Sequence, residues 1–270
     1  MSIKTRPWAR QPTVPVVPDY TNGLLRSIGL MFLSNPTKVY FDPANHAPWI
    51  QSGAQVFHAS AGSYGGEVYG PRVDATHYIY QTFPQPPAAG WTIAAVVGFS
   101  AGASLSTRYI GFCQSPGSGT NDREITLDAN FFYSGEVFDG ATKQVSSVVA
   151  PAIGRTDVVV VTCTASLISI FVNGLAPVTL AVSNSGFGYT GNPAFCLGNC
   201  SNGLPTGMDA SLVLMVNRPW TNGEAFKWMD NPWQVFKPKI RRLWFHPSAA
   251  VTPVLQPWWF QGNQGALIAQ

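Results

Sequence analysis

Asp157-Val-Val-Val-Val-Thr-Cys-Thr164 is followed at once by Leu167-Ile-Ser-Ile-Phe-Val172, then Asn173-Gly174, then Pro177-Val-Thr-Leu-Ala-Val182. The first run is short, continuous and β-branched, which suits an inner strand rather than a helix. The second run ends on Asn-Gly, the strongest short hairpin signal, because both central residues of a type I′ turn take positive φ. The third segment is then the hairpin partner.

The same signature recurs on both sides. Trp91-Thr-Ile-Ala-Ala-Val-Val-Gly-Phe99 is β-branched and aromatic and follows a turn-rich stretch from Pro84 to Gly90. Glu124-Ile-Thr-Leu-Asp128 alternates polar and apolar residues, the period of a half-buried strand. Ala194-Phe-Cys-Leu-Gly198 and Ala210-Ser-Leu-Val-Leu-Met-Val216 read as later strands. Helical periodicity is convincing only from Thr221 to Asp230, where Thr221 can cap the helix with Glu224 three residues on, and Pro232 marks its end. Segments 114–123 and 199–207, rich in Gly and Asn, read as exposed loops. Short strands separated by frequent turns imply an all-β fold, a sandwich or jelly roll.

Composition agrees. The 270 residues are 46% hydrophobic and 11% charged, so the chain folds but presents a neutral, polar surface. Its 26 glycines and 22 prolines favour many turns. No apolar stretch is long enough to span a membrane as a helix. The opening Met1-Ser2-Ile3-Lys4-Thr5-Arg6-Pro7 lacks the apolar core of a secretory signal, so folding is expected in the compartment of synthesis. Cys113, Cys163, Cys196 and Cys200 are too few for a disulfide framework in a chain this long and read as buried thiols. Cys196 and Cys200 stand four apart without the further ligands a zinc site needs.

The formal charge of +3 is unevenly spread. Residues 1–40 hold Lys4, Arg6, Arg10, Arg26 and Lys38 against Asp19 alone, and residues 237–270 hold Lys237, Lys239, Arg241 and Arg242 with no acid. The stretch between them is acidic. Both ends are punctuated by proline, which blocks helices and interior strands. The C-terminal stretch adds Trp244, Phe245, Trp258, Trp259 and Phe260. The expected organisation is therefore an N-terminal extended arm (1–40), a sandwich body (41–236) and a basic, Pro/Trp-rich C-terminal arm (237–270). Nucleic acid is not an expected partner, because the folded middle is acidic and the cations are sparse.

Three stretches carry a resemblance, in order and with ordinary spacing: 155–174, closing on Val-Asn-Gly; Asn192-Pro-Ala-Phe-Cys-Leu-Gly198; and Met208-Asp-Ala-Ser-Leu-Val-Leu-Met-Val-Asn-Arg-Pro-Trp220. Together they resemble the laminin-G-like, concanavalin A-like jelly-roll family. The ending, Met229-Asp-Asn-Pro-Trp-Gln-Val-Phe-Lys-Pro238 with Arg241-Arg242, is similar to that of jelly-roll proteins encoded among the virion genes of tailed bacteriophages and prophages. The openings Trp8-Ala-Arg-Gln-Pro12 and 20–30 fit as well, while 41–90 is poorly matched. The resemblance implies a virion structural protein, a head decoration or a tail, collar or fibre component, made in the host bacterial cytoplasm. Its partners would be other virion proteins and neighbouring copies of itself. On that reading Trp8, Trp233 and Trp244 bury against neighbours, and Arg10, Arg241 and Arg242 pair with acidic groups there, since aromatic and Arg side chains anchor interfaces.

Catalytic chemistry is weakly represented. Some concanavalin A-like enzymes cut β-glucans with a Glu-x-Asp-x-Glu strand motif. The nearest match is Glu124-Ile-Thr-Leu-Asp128, with Thr126 where the middle carboxylate belongs. Glu124 and Asp128 therefore read as a solvated strand face, and a glycoside hydrolase is the weakest alternative. Gly98-Phe-Ser-Ala-Gly102 fits the nucleophile-elbow letters, but no helical pattern follows it. The expectation is no enzyme and no cofactor. Calcium is the one ion the loops approach, through Asp209 with Asn199 or Asn202, yet no dense acidic loop supplies the six to eight oxygens it takes. Tyr64, Tyr69, Tyr133, Phe187 and Tyr189 lie beside glycines and are the candidates for stacking on host surface glycan, the alternative function.

Overall fold

Val158–Val161 is buried on both faces, which is why this run shows no alternation. Val159 and Val161 point into one core, Val158 and Val160 into a second. The structure, a computed structural model, describes residues 16–33, 50–52, 57–62, 67–73, 78–82, 90–99, 108–113, 121–138, 140–184, 194–198 and 208–238.

Among them are seventeen strands: β1 (Val16–Pro18), β2 (Ile28–Leu33), β3 (Ile50–Ser52), β4 (Phe57–Gly62), β5 (Glu67–Val73), β6 (Tyr78–Thr82), β7 (Trp91–Phe99), β8 (Arg108–Cys113), β9 (Asn121–Leu127), β10 (Tyr133–Phe138), β11 (Thr142–Ser146), β12 (Arg155–Cys163), β13 (Leu167–Val172), β14 (Val178–Ala181), β15 (Ala194–Leu197), β16 (Met208–Val216) and β17 (Phe236–Pro238). One helix, α1 (Asn222–Asp230), and two 3-10 turns, Gly23–Leu25 and Pro232–Val235, complete the list. The all-β expectation and the single short helix are both met.

Two sheets make the sandwich. The seven-stranded sheet runs β11-β10-β9-β8-β15-β6-β3. The eight-stranded sheet is centred on β7, which is antiparallel to β12 on one side and to β16 on the other. Beyond β12 come β13 and β14, beyond β16 comes β2, and the β4–β5 hairpin joins β12 and β16. The inner core lies between the sheets and holds Trp91, Ile93, Phe112, Ile125, Val159, Ile170 and Phe195 among others. The Asn173-Gly174 turn has φ of 52° and 77°, and the Leu175 amide bonds back to Val172 O.

The second core covers the other face of the eight-stranded sheet. Even-numbered Ala94, Val96, Leu212 and Leu214 pack there beneath α1 and the 3-10 turns. Trp228 meets Trp220 at 6.0 Å between ring centroids, and Phe226 meets Phe171 edge-on at 5.6 Å. Thr221 and Glu224 form a full capping box at the start of α1, as their spacing predicts. Arg218 clamps this layer: it donates two hydrogen bonds to the Glu224 carboxylate, at 2.7 and 3.0 Å, and others to the Arg26 and Gly23 carbonyls.

The expected arm boundary at residue 40 is corrected. Residues 16–33 belong to the body, because β2 pairs with β16 and puts Leu30 and Phe32 into the inner core. β1 pairs with β17, Val16 opposite Pro238, so the chain enters and leaves the body side by side. Asp19 braces this ribbon from its backbone N–H to Val235 O and through a 3.3 Å ion pair with Lys237. The chain divides into two units, Met1–Pro238 and Lys239–Gln270.

Candidate functional site

Alternation along β9 and β10 gives the seven-stranded sheet an inner, apolar face and an outer, polar one. Ile125, Leu127, Tyr133 and Val137 enter the core. Glu124, Thr126, Ser134 and Glu136 take the opposite parity. Register places Gln144, Glu136, Glu124, Gly111, Cys196 and Tyr80 in one row across β11, β10, β9, β8, β15 and β6. Gly111 is required there: a Cβ on it would stand 2.4 Å from the Glu124 Cβ and 2.3 Å from the Arg123 carbonyl oxygen. Gln144 donates to Ser134 Oγ at 3.2 Å.

Two carboxylates thus face each other where the sequence offered Glu124 and Asp128. Glu136 lies directly opposite Glu124, and side chains so placed have Cβ atoms about 5 Å apart. The expectation of a solvated strand face is overturned, since Glu124 is 0% and Glu136 only 7% exposed. Asp128 has a different task. Its Oδ1 accepts the Asn130 and Phe132 amides at 2.8 and 2.9 Å and shapes the β9–β10 turn, where Phe131 takes a φ of 64°. Burial opposes the charge of Asp128, but hydrogen bonds from Ser146, Phe132 and Asn130 outweigh it and hold the carboxyl below its usual range. No spacing in the sequence announces Glu136, because only cross-strand register brings it to Glu124.

Of the aromatic residues proposed for sugar contact, the structure removes Tyr133. It is 1% exposed in the inner core, and its hydroxyl donates to Asp157 Oδ2 at 2.9 Å. Gly135, two residues on, signals close packing rather than a loop: a Cβ on it would stand 2.7 Å from Val161 Cγ1. Tyr69 lies within strand β5 rather than in a loop. Tyr64, Phe187 and Tyr189 lie outside the described residues.

Among the anchoring residues, Trp233 is corrected too. Its indole is 7% exposed and belongs to the second core with Trp220 and Trp228, so it packs on the chain's own body. Trp8, Arg10, Arg241, Arg242 and Trp244 lie outside the described residues. Asp209 sits near the start of β16, as its position before an alternating run suggests, while Asn199 and Asn202 lie outside. Among the described residues no three His, Cys, Asp or Glu side chains gather as a metal site. Gly98 and Phe99 close strand β7, and the rest of the elbow-like motif lies outside. No described helix is long and apolar enough to cross a membrane.

Sequence reasoning missed the Asp157 cluster. Arg155 donates to Asp157 Oδ1 and Oδ2 at 2.7 and 2.9 Å, and Asn173 Nδ2 donates to Oδ1 at 2.7 Å. With Tyr133 the carboxylate receives bonds from both sheets. Burial disfavours the Arg155 cation, yet the hydrogen bond and charge of Asp157 raise its pKa above the ordinary arginine value. The available signal was Arg155 and Asp157 standing two apart, on one face of a strand.

No protein-family model matches the chain, and no curated protein does. Solved structures do. The chain is similar to the receptor-binding domain of botulinum neurotoxin C/D mosaic serotype, with a TM-score of 0.55 and 10% identity over 76% of this chain and 51% of that one. It is similar to domain 4 of AbnA, a GH43 extracellular arabinanase from Geobacillus stearothermophilus, in complex with arabinotriose, with a TM-score of 0.50, 12% identity and coverage of 74% of this chain and 97% of that one. A Trypanosoma rangeli sialidase follows at 0.51 and 10%, covering 78% of this chain and 33% of that one. The chain spans about half the length of the toxin binding domains it matches. At such identities the likeness shows the fold, a jelly-roll sandwich.

Proposed function

We propose that this chain is a carbohydrate-binding module that holds an oligosaccharide without cleaving it. One observation carries the reading: the sandwich corresponds to nearly the whole of a separate arabinanase domain crystallised with arabinotriose, 97% of its length. Composition supports it. A neutral surface with 11% charge and 13% aromatic residues suits a ligand rich in hydroxyls, which is recognised by ring stacking and a few fixed hydrogen bonds. Tyr64, Tyr69, Phe187 and Tyr189 are the stacking residues in this proposal. The burial of Glu124 and Glu136 argues against hydrolysis, because a sugar ring has no approach to an enclosed carboxylate pair.

The test is a glycan array probed with the full chain, followed by calorimetric titration of the hits. Binding to a defined oligosaccharide is expected, with at least one of Tyr64→Ala, Tyr69→Ala, Phe187→Ala and Tyr189→Ala weakening it about tenfold, the loss of roughly one aromatic contact. No binding across plant and bacterial glycans overturns the reading, and release of reducing sugar replaces it with a hydrolase.

A second reading keeps the module on a phage particle. The β1–β17 ribbon favours it, because Val16 and Pro238, the first and last described residues, stand opposite each other. The flanking segments 1–15 and 239–270 hold Lys4, Arg6, Arg10, Lys239, Arg241 and Arg242 with no acid, and Trp8 and Trp244 lie among them. On this reading they bind neighbouring virion proteins while the body reaches host glycan. Cryo-EM density for the body on particles from the source strain is expected, and its absence from purified particles removes the virion reading.

A further inference from the structure

We propose that Cys113 and Cys196 form a modification site that closes to a disulfide when the folded chain meets a peroxide, stapling β8 to β15. Their sulfurs lie 3.2 Å apart, and a disulfide bond is about 2.05 Å long. Only about an ångström of approach separates the thiols from the bond. Cys113 faces Ala194 and Cys196 faces Gly111 across the ladder, so the two are diagonal neighbours on one face. Gly111 puts no side chain between them. On its other edge β8 shifts register between Phe112 and Cys113, which gives the backbone room to adjust. Both thiols are buried with Ala194, against Tyr80. Cys163 belongs to β12 in the other sheet and points its sulfur at the Thr164 carbonyl.

The chemistry balances. One thiolate attacks the O–O bond of hydrogen peroxide and becomes a sulfenic acid, releasing hydroxide. The second thiolate attacks that sulfur and expels a second hydroxide. Two thiols and one peroxide give one disulfide and two waters, each sulfur losing one electron. Burial makes the reaction slow and shields the product from reductant. The link would join residues 83 apart in sequence, in the middle of the seven-stranded sheet, and so restrict the unfolded chain strongly. This inference does not depend on the glycan reading.

Its test uses the intact chain, reduced, desalted and exposed to excess hydrogen peroxide at neutral pH. The protein is then alkylated in denaturant and digested without reductant. The expected result is a species two hydrogens lighter, with a peptide joining Cys113 to Cys196. The melting temperature should rise by about 5 °C or more, and fall back once the chain is reduced with dithiothreitol in denaturant and refolded. Cys163→Ser and Cys200→Ser should keep the link and the shift, and Cys113→Ser should lose both. Recovery of both thiols in alkylated form, their recovery as sulfinic acids, or a Cys196–Cys200 link overturns the proposal. The wild-type peptide map decides even if a variant fails to fold.

Discussion

Asp157 is fully enclosed and receives four hydrogen bonds from Arg155, Tyr133 and Asn173. A buried carboxylate is tolerated only with this degree of satisfaction. Tyr133→Phe removes one charge-assisted bond and the tie between the sheets. We expect it to cost about 2 kcal/mol in urea unfolding and to leave glycan affinity unchanged. Glu224 gives a different prediction. The hydrogen bonds from Arg218, aided by the Thr221 amide, outweigh partial burial and hold its carboxyl below the usual glutamate value. A folded pKa below the unfolded one stabilises at neutral pH, and that stabilisation is lost as pH falls through the folded value. Glu224→Gln should therefore be less stable than wild type at pH 7, by no more than about 1 kcal/mol because the side chain is partly exposed. The two proteins should converge in acid. A constant gap across a pH series of denaturation curves would contradict this assignment.

At the scale of elements, α1 makes the sandwich a three-layer structure. Trp228 is 0% exposed beneath it and touches the sheet that β12 and β16 build. Trp228→Ala should cost about 3–5 kcal/mol, read as a lower urea midpoint with an unchanged slope. The strands legible in the sequence are those whose residues decide their own state. β7 and β13 match their runs, and Asn173-Gly174 marks its turn without help. The helix is legible because Thr221, Glu224 and Pro232 act locally. The β3–β6 region has no such local marking: it is mixed with glycine and proline, and β4, β5 and β6 join the sheets through β12, β16 and β15 far along the chain. The site suffered from the same limit. Glu136 meets Glu124 only through register, and Tyr133 was misread because a glycine can serve close packing as readily as a loop.

At the scale of the whole molecule, the ribbon of β1 and β17 defines where the body ends. Removing residues 1–15 and 239–270 should leave a folded body with an unchanged far-ultraviolet spectrum. Extending the N-terminal deletion through residue 20 should lower the melting temperature, because it removes β1, the Asp19–Lys237 pair and the bond to Val235. An equal melting temperature for the two truncations would show the ribbon to be dispensable. The ribbon also decides how load would enter the molecule. If the chain is held on both sides of the ribbon at one support, drag on the body enters at Val16 and Pro238 together rather than across the sandwich. Pulling the two ends apart would instead open β1 from β17 one rung at a time, a weak seam that yields before either core is strained.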